Sequence, residues 1–225
     1  MNKSVVFALI RKEWQFHRGP IAGGTLLGAL ALALVGYGSD GTYYVGAVLL
    51  LTAIIGIGIY LVFMTTIQER KEKTLAFVMS LPLSALQYTR AKLLANALFY
   101  LLPWSLLLLG SFAVIAGTDF LPNGLIPFTA VALAELLVAY CLLLGIALVT
   151  ESEGWTIFVM AVCNISLNFF LYFIAHIPSI NATMSGPVAV WNSTILWILL
   201  LEVLAAVAIV SLTFFFQNRK TDFIF

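Results

Sequence analysis

Two carboxylates stand where carboxylates are costly. Glu135 and Glu202 each lie inside a run of apolar residues. An ionisable group at membrane depth ordinarily faces a bundle interior or a wet cavity. Both fall in the half of their runs that the charge distribution described below assigns to the outer side, which puts them at a similar level. Such a pair would form a polar site on the outer part of a translocation path. The same residues would also serve as a helix–helix hydrogen bond made by a protonated carboxyl, or as interfacial side chains reaching water. A proton relay is less favoured, because no intramembrane Lys, Arg or His accompanies them. Phe169, Phe170, Tyr172 and Phe173 crowd another run. They would line a hydrophobic path or face core and lipid.

Other chemistry is excluded by omission. No Gly-x4-Gly-Lys-Ser/Thr run is present, so the chain carries no nucleotide-binding P-loop. There is no His-Glu-x-x-His pair and no Gly-x-Ser-x-Gly elbow. His17 and His176 are expected on opposite membrane faces and cannot share a metal. Cys141 and Cys163 fall inside apolar runs and read as small core hydrophobes rather than a disulfide or a ligand cluster. No catalytic residue, metal, resident cofactor or nucleic-acid partner is expected of this chain.

What must position the two glutamates follows from composition. Hydrophobic residues make up 62% of 225 positions and charged residues 9%, against roughly 25% charged in a soluble domain. A chain this poor in charge cannot cover a water-facing surface, so lipid is its expected solvent. A span needs about 20 apolar residues, and six runs qualify: Pro20–Tyr37, Tyr44–Ile67, Leu93–Ala116, Leu125–Val149, Thr156–His176 and Thr194–Phe216. No small-residue cleavage site follows the first run, so it is expected to stay in the chain. The fold class is therefore an all-α integral membrane protein, one domain over residues 1–225. All eleven Lys and Arg lie in four places, Lys3 to Arg18, Arg70 to Lys73, Arg90 with Lys92, and Arg219 with Lys220. Six spans put these four places on one face and the loops around Asp40, Asp119 and Ser179–Ser193 on the other. The positive-inside rule then places both termini and the 68–92 loop in the cytoplasm.

Two segments outside the spans carry structure of their own. In Ser4–Arg18, Val6, Ile10 and Trp14 recur at helical spacing while Arg11, Gln15 and Arg18 share another face. This pattern predicts an amphipathic helix in the inner membrane interface, ended by Gly19-Pro20. In the 68–92 loop, Glu69 and Lys73 form an i, i+4 pair, Leu75, Val78 and Met79 form an apolar stripe, and Pro82 ends the helix. Ser84 can cap a second short helix leading to Arg90 and Lys92. A charged face, an apolar stripe and a hard corner suit docking on a partner, or packing beneath the chain's own bundle. Gly24-x-x-x-Gly28 would allow close helix approach. Asn181-Ala-Thr183 and Asn192-Ser-Thr194 fit the glycosylation sequon.

The loop wording Glu69-Arg-Lys-Glu-Lys-Thr-Leu75, Ser80-Leu-Pro-Leu-Ser84 and Arg90-Ala-Lys-Leu-Leu94, set within an N-terminal helix and six spans, resembles permease subunits of the second export class of ATP-binding-cassette (ABC) transporters. The resemblance implies a dimer of permeases, as a homodimer or heterodimer, bound to two cytoplasmic ATPase subunits that hold ATP and Mg. It also implies a cell (plasma or inner) membrane of a bacterial kind. By matching position, residues 4–18 would be the elbow helix, and Glu69–Met79, with Glu69, Arg70, Lys73, Leu75 and Met79, the coupling helix. Pro82 would be the corner beside the ATPase, and the acidic turn with Glu151 and Glu153 a second, smaller contact. The competing reading is a self-contained secondary transporter or channel, whose expected signs, intramembrane charge pairs or inverted repeats, are not evident.

Overall fold

In lipid an apolar run of this length satisfies its backbone through its own helix. The computed structural model describes residues 3–68 and 85–219, with side chains over 10–68 and 91–219. Among the described residues the regular structure is helical: α1 (Lys3–Gly36), α2 (Asp40–Val62, prolonged by a π-helical turn Phe63–Gln68), α3 (Ala85–Gly117), α4 (Leu125–Thr150), α5 (Glu153–Ala175), the short α6 (Pro178–Met184) and α7 (Ser193–Asn218). Six of them, all but α6, are long and apolar enough to cross a membrane. Local chemistry sets their ends. Ser39, Ser152 and Asn192 cap α2, α5 and α7 with side-chain oxygens that accept from Thr42, Trp155 and Ile195 N–H groups. Glu151 closes α4 in the left-handed region at φ 59°, its N–H bonded to the Ala147 carbonyl, so α4 and α5 are joined by two residues.

The break expected at Gly19-Pro20 is not made. α1 runs through Pro20 as one 34-residue helix. A proline inside a helix removes one N–H and crowds the carbonyl four residues back, here that of Phe16, at about 3 kcal/mol. Contacts on both sides of the proline offset that cost. Before it, Trp14 packs on Phe99 at 5.4 Å between ring centroids and His17 bonds the Tyr60 hydroxyl. After it, Ile21 is buried in the main core. Both halves of α1 are thereby held to α2 and α3, and the helix keeps one course. Pro103 inside α3 is likewise buried and carried through.

α1, α2 and α3 form one closely packed group, α4 packs against α2, α3, α5 and α7, and α5 and α7 sit outside it. The α1–α2 contact is tight enough to require glycine at 46, where a Cβ would stand 2.7 Å from the Ala31 carbonyl oxygen and from the Val35 nitrogen. The Gly24 and Gly28 pair does not serve a single helix partner: Gly24 receives Ile57 of α2, and Gly28 receives Leu107 of α3. Burial follows this arrangement. The most apolar window of α4 is 56% buried, whereas those of α5 and α7 are 11% buried. At the loop end of the bundle, residues 177–193 fold back over α4. Ile180 is buried, Gly124 N–H bonds the Gly186 carbonyl, and Asn123 donates to the Pro187 carbonyl at 3.1 Å. Both sequon asparagines are engaged, Asn181 with the Ala175 carbonyl and Asn192 with the Ser179 carbonyl.

Candidate functional site

The polar groups inside the bundle fall into two layers. The first lies near the end of the bundle that carries the first turns of α3 and the last turn of α2. There the π-helical turn Phe63–Gln68 shifts the backbone register, and such turns recur at functional sites. The Thr65 carbonyl accepts from Lys92 Nζ at 2.8 Å, and the same ammonium donates to Glu13 Oε1 at 2.9 Å. His17 Nε2 approaches the other Glu13 oxygen at 3.3 Å. One turn beyond Lys92, Asn96 donates to the Thr65 hydroxyl at 2.9 Å, while that hydroxyl donates to the Leu61 carbonyl. Tyr140 of α4 donates to the Asn96 carbonyl at 3.0 Å, and its ring stacks on Tyr100 at 3.8 Å. Glu13, Thr65, Lys92 and Asn96 are all buried. A buried ion pair is tolerable when both partners are further hydrogen-bonded, and this layer meets that condition. It ties α1, α2, α3 and α4 together.

The sequence reading missed this layer. Lys92 enters the sequence reading for its charge and as part of the loop wording, and Glu13 and Asn96 do not enter it. A signal was present: Glu13 with His17 and Lys92 with Asn96 each stand four residues apart, on one helix face, and Thr65 interrupts an apolar run.

The second layer holds Glu135 and Glu202. α4 and α7 run parallel, with Gly145 against Thr213 and the Leu148 carbonyl accepting from the Gln217 side chain. At the other end Val131 shares a cluster with Ile195 and Ile198. This register sets Glu202 level with Glu135, and the two carboxyls are near enough to interact electrostatically. Glu202 is 7% exposed, and neither carboxyl oxygen has a hydrogen-bond partner. Glu135 is half-buried and lines a cavity of about 40 Å³ together with Tyr100, Tyr140, Cys163 and Asn164 among apolar neighbours. One water needs about 10–15 Å³ by this measure, so the cavity holds two or three. A larger, mostly apolar cavity of about 120 Å³ opens between α1, α2, α3 and α4 beside Tyr43, Ser111, Phe128 and Leu171.

Phe169, Tyr172 and Phe173 turn away from the bundle and are exposed, while Phe170 packs on the cluster around Val131 and Ile174. None of the four lines either cavity. Glu151 lies in the two-residue α4–α5 turn and Glu153 opens α5 after it, at the end of the bundle shared with Gln217. Glu69, Arg70, Lys73, Leu75, Met79 and Pro82 lie outside the described residues. Cys141 and Cys163 are free thiols on α4 and α5. Among the described residues no three His, Cys, Asp or Glu side chains gather as a metal site. No family model, curated protein or solved structure matches the chain.

Proposed function

We propose that this chain is the membrane-spanning permease subunit of an ABC-type exporter, working beside a second permease and driven by separate cytoplasmic ATPase subunits that hold ATP and Mg. One observation carries the reading. The two flanks of the 69–84 segment are fastened to each other and to α1 by a single side chain, since Lys92, soon after the segment, holds both the Thr65 carbonyl just before it and the Glu13 carboxylate. A displacement applied to that segment would therefore pass into α1, α2 and α3 together instead of being absorbed at one flexible joint. That is what coupling to an external motor requires. The segment's own sequence, with charges from Glu69 to Lys73 beside Leu75, Val78 and Met79, suits a groove on such a motor: apolar burial gives affinity and charge sets register. The Glu151–Glu153 turn lies at the end of the bundle it shares with the end of α7 and is the second surface the ATPase would touch.

The test is purification from native membranes in a mild detergent. A P-loop ATPase should accompany the chain, with vanadate-sensitive ATP hydrolysis in the complex. Charge reversal at Glu69 together with Arg70, or Leu75→Asp, should release that ATPase while the protein still inserts. If no ATPase accompanies the intact chain, or the altered segment leaves hydrolysis and transport coupled, the self-contained transporter or channel takes its place.

A further inference from the structure

The cavity of about 120 Å³ between α1, α2, α3 and α4 is walled almost wholly by hydrocarbon. Its inner walls are buried side chains, Leu32 and Val35 of α1, Leu50 of α2, Ile115 of α3 and Leu133 of α4. Ser111, the buried hydroxyl among them, already donates to the Leu107 carbonyl. A buried water needs two to four polar partners, and these inner walls have none to spare. An engineered apolar cavity of about 150 Å³ in another protein stays dry and takes an apolar guest. In lipid no hydrophobic force draws helices together to close such a gap, and an empty one forfeits the contacts its walls would make.

Position narrows what fills it. The cavity starts at the loop end, with Tyr43 in the first turn of α2 and Leu125 opening α4. Its deepest residues on those helices are Leu51 and Leu133, about 12 Å further along each at 1.5 Å per residue. One leaflet of a hydrocarbon core about 30 Å thick is about 15 Å deep, so the cavity has the depth of one leaflet and ends within it. Its walls on α1 and α3 are buried, whereas Tyr43, Ala47 and Leu51 of α2 and Phe128 and Thr129 of α4 are half-exposed. The mouth therefore faces sideways, between α2 and α4 and beside Leu171 of α5, toward the surrounding lipid. Deeper in the bundle α2 and α4 close on each other, where a Cβ on Gly58 would stand 3.0 Å from the Tyr140 ring. Tyr43 puts a ring and a hydroxyl at the upper rim, the level at which such residues meet lipid head groups.

We infer that this cavity binds one acyl chain of a bilayer phospholipid, drawn in sideways between α2 and α4. The site goes beyond the transport reading and stands whether or not an ATPase drives the chain. The test uses the purified full chain in phosphatidylcholine nanodiscs doped with a phosphatidylcholine that carries a diazirine midway along one acyl chain. After irradiation, the cross-linked residues are mapped by mass spectrometry. Labels are expected on Val35 and Ile115, which lipid outside the bundle does not reach because both are buried, as well as on the exposed Leu200 and Leu204 of α7. Ala132→Phe fills the cavity from its buried wall, and Ala47→Phe fills it from the half-exposed rim. Each should abolish the labels on Val35 and Ile115 and leave those on α7. Elution profile and thermal melting establish which variants are folded, and the rim variant carries the test if the buried one is not. Labels confined to the outward faces of the parent protein, or unchanged labels on Val35 and Ile115 in a folded, filled variant, would overturn the inference. Labelling of those two residues by a free diazirine fatty acid but not by the phospholipid would overturn it as well, by assigning the cavity to a single-chain amphiphile.

Discussion

The two polar layers of this bundle use the same residue type in opposite ways. Glu13 is buried with Lys92 and His17 beside it. Glu202 is buried with neither of its oxygens bonded. The first carboxylate belongs to a closed group of helices, with Gly46 letting α1 and α2 touch backbone to backbone. The second lies where α7 meets α4 and little else. A satisfied network specifies one arrangement of helices and resists change. An unsatisfied carboxyl lowers stability and persists where something other than stability selects it. The contrast is between a closed layer that holds α1, α2 and α3 together and an open one, where α4 meets α7, that leaves a buried carboxyl unanswered.

Four substitutions sharpen or break that contrast. The largest effect is expected at Lys92. Lys92→Met leaves the Thr65 carbonyl without its ammonium and Glu13 with only part of its compensation, which should cost about 3 kcal/mol in reversible unfolding in detergent. The double variant with Glu13→Gln should recover part of that loss. A Lys92→Met protein as stable as the parent would remove the layer's structural role. Next is Gly46→Val, which drives a branched side chain into the Ala31–Val35 backbone and should cost about 2–3 kcal/mol, read as a lower melting temperature. Glu202→Gln should act in the opposite direction. Replacing a buried carboxyl that nothing pairs by a neutral amide should leave stability unchanged or raise it by about 1 kcal/mol. A clear loss of stability there would mean that Glu202 is a structural contact after all. The smallest effect is expected at Phe169→Ala on the uncovered face of α5. It should change the stability of the isolated chain by less than about 0.5 kcal/mol, because in lipid an apolar side chain gains little by leaving its apolar surroundings. A larger effect would show that the face is covered by something other than lipid.

Much of this was legible in the residues. Four of the six long helices match their apolar runs closely, because backbone groups in lipid leave a span no alternative to helix, whereas α1 and α3 begin well before theirs, α3 at Ala85 instead of Leu93. The level of Glu135 and Glu202 could be read by counting along two runs that begin at the same end of the bundle. The aromatic stretch was placed on the right helix. Its direction was not legible, since Phe169, Tyr172 and Phe173 satisfy the same composition whether they face a path or the outside.

What the sequence by itself determined is the number of helices long and apolar enough to cross a membrane and the concentration of every Lys and Arg in four places. These depend on local composition and length alone. Only the tertiary structure decided that α1 passes Gly19-Pro20 unbroken, that Glu13 and Lys92 meet across 79 positions of chain, and that Glu202 is left without a partner. Local rules fail at these places for one reason. The cost of a proline within a helix or of a buried charge is about 3 kcal/mol or more, and whether it is offset depends on which side chains of other helices arrive beside it. The packing of α1, α2 and α3 supplies those neighbours for Pro20 and Glu13, whereas the meeting of α4 and α7 supplies none for Glu202.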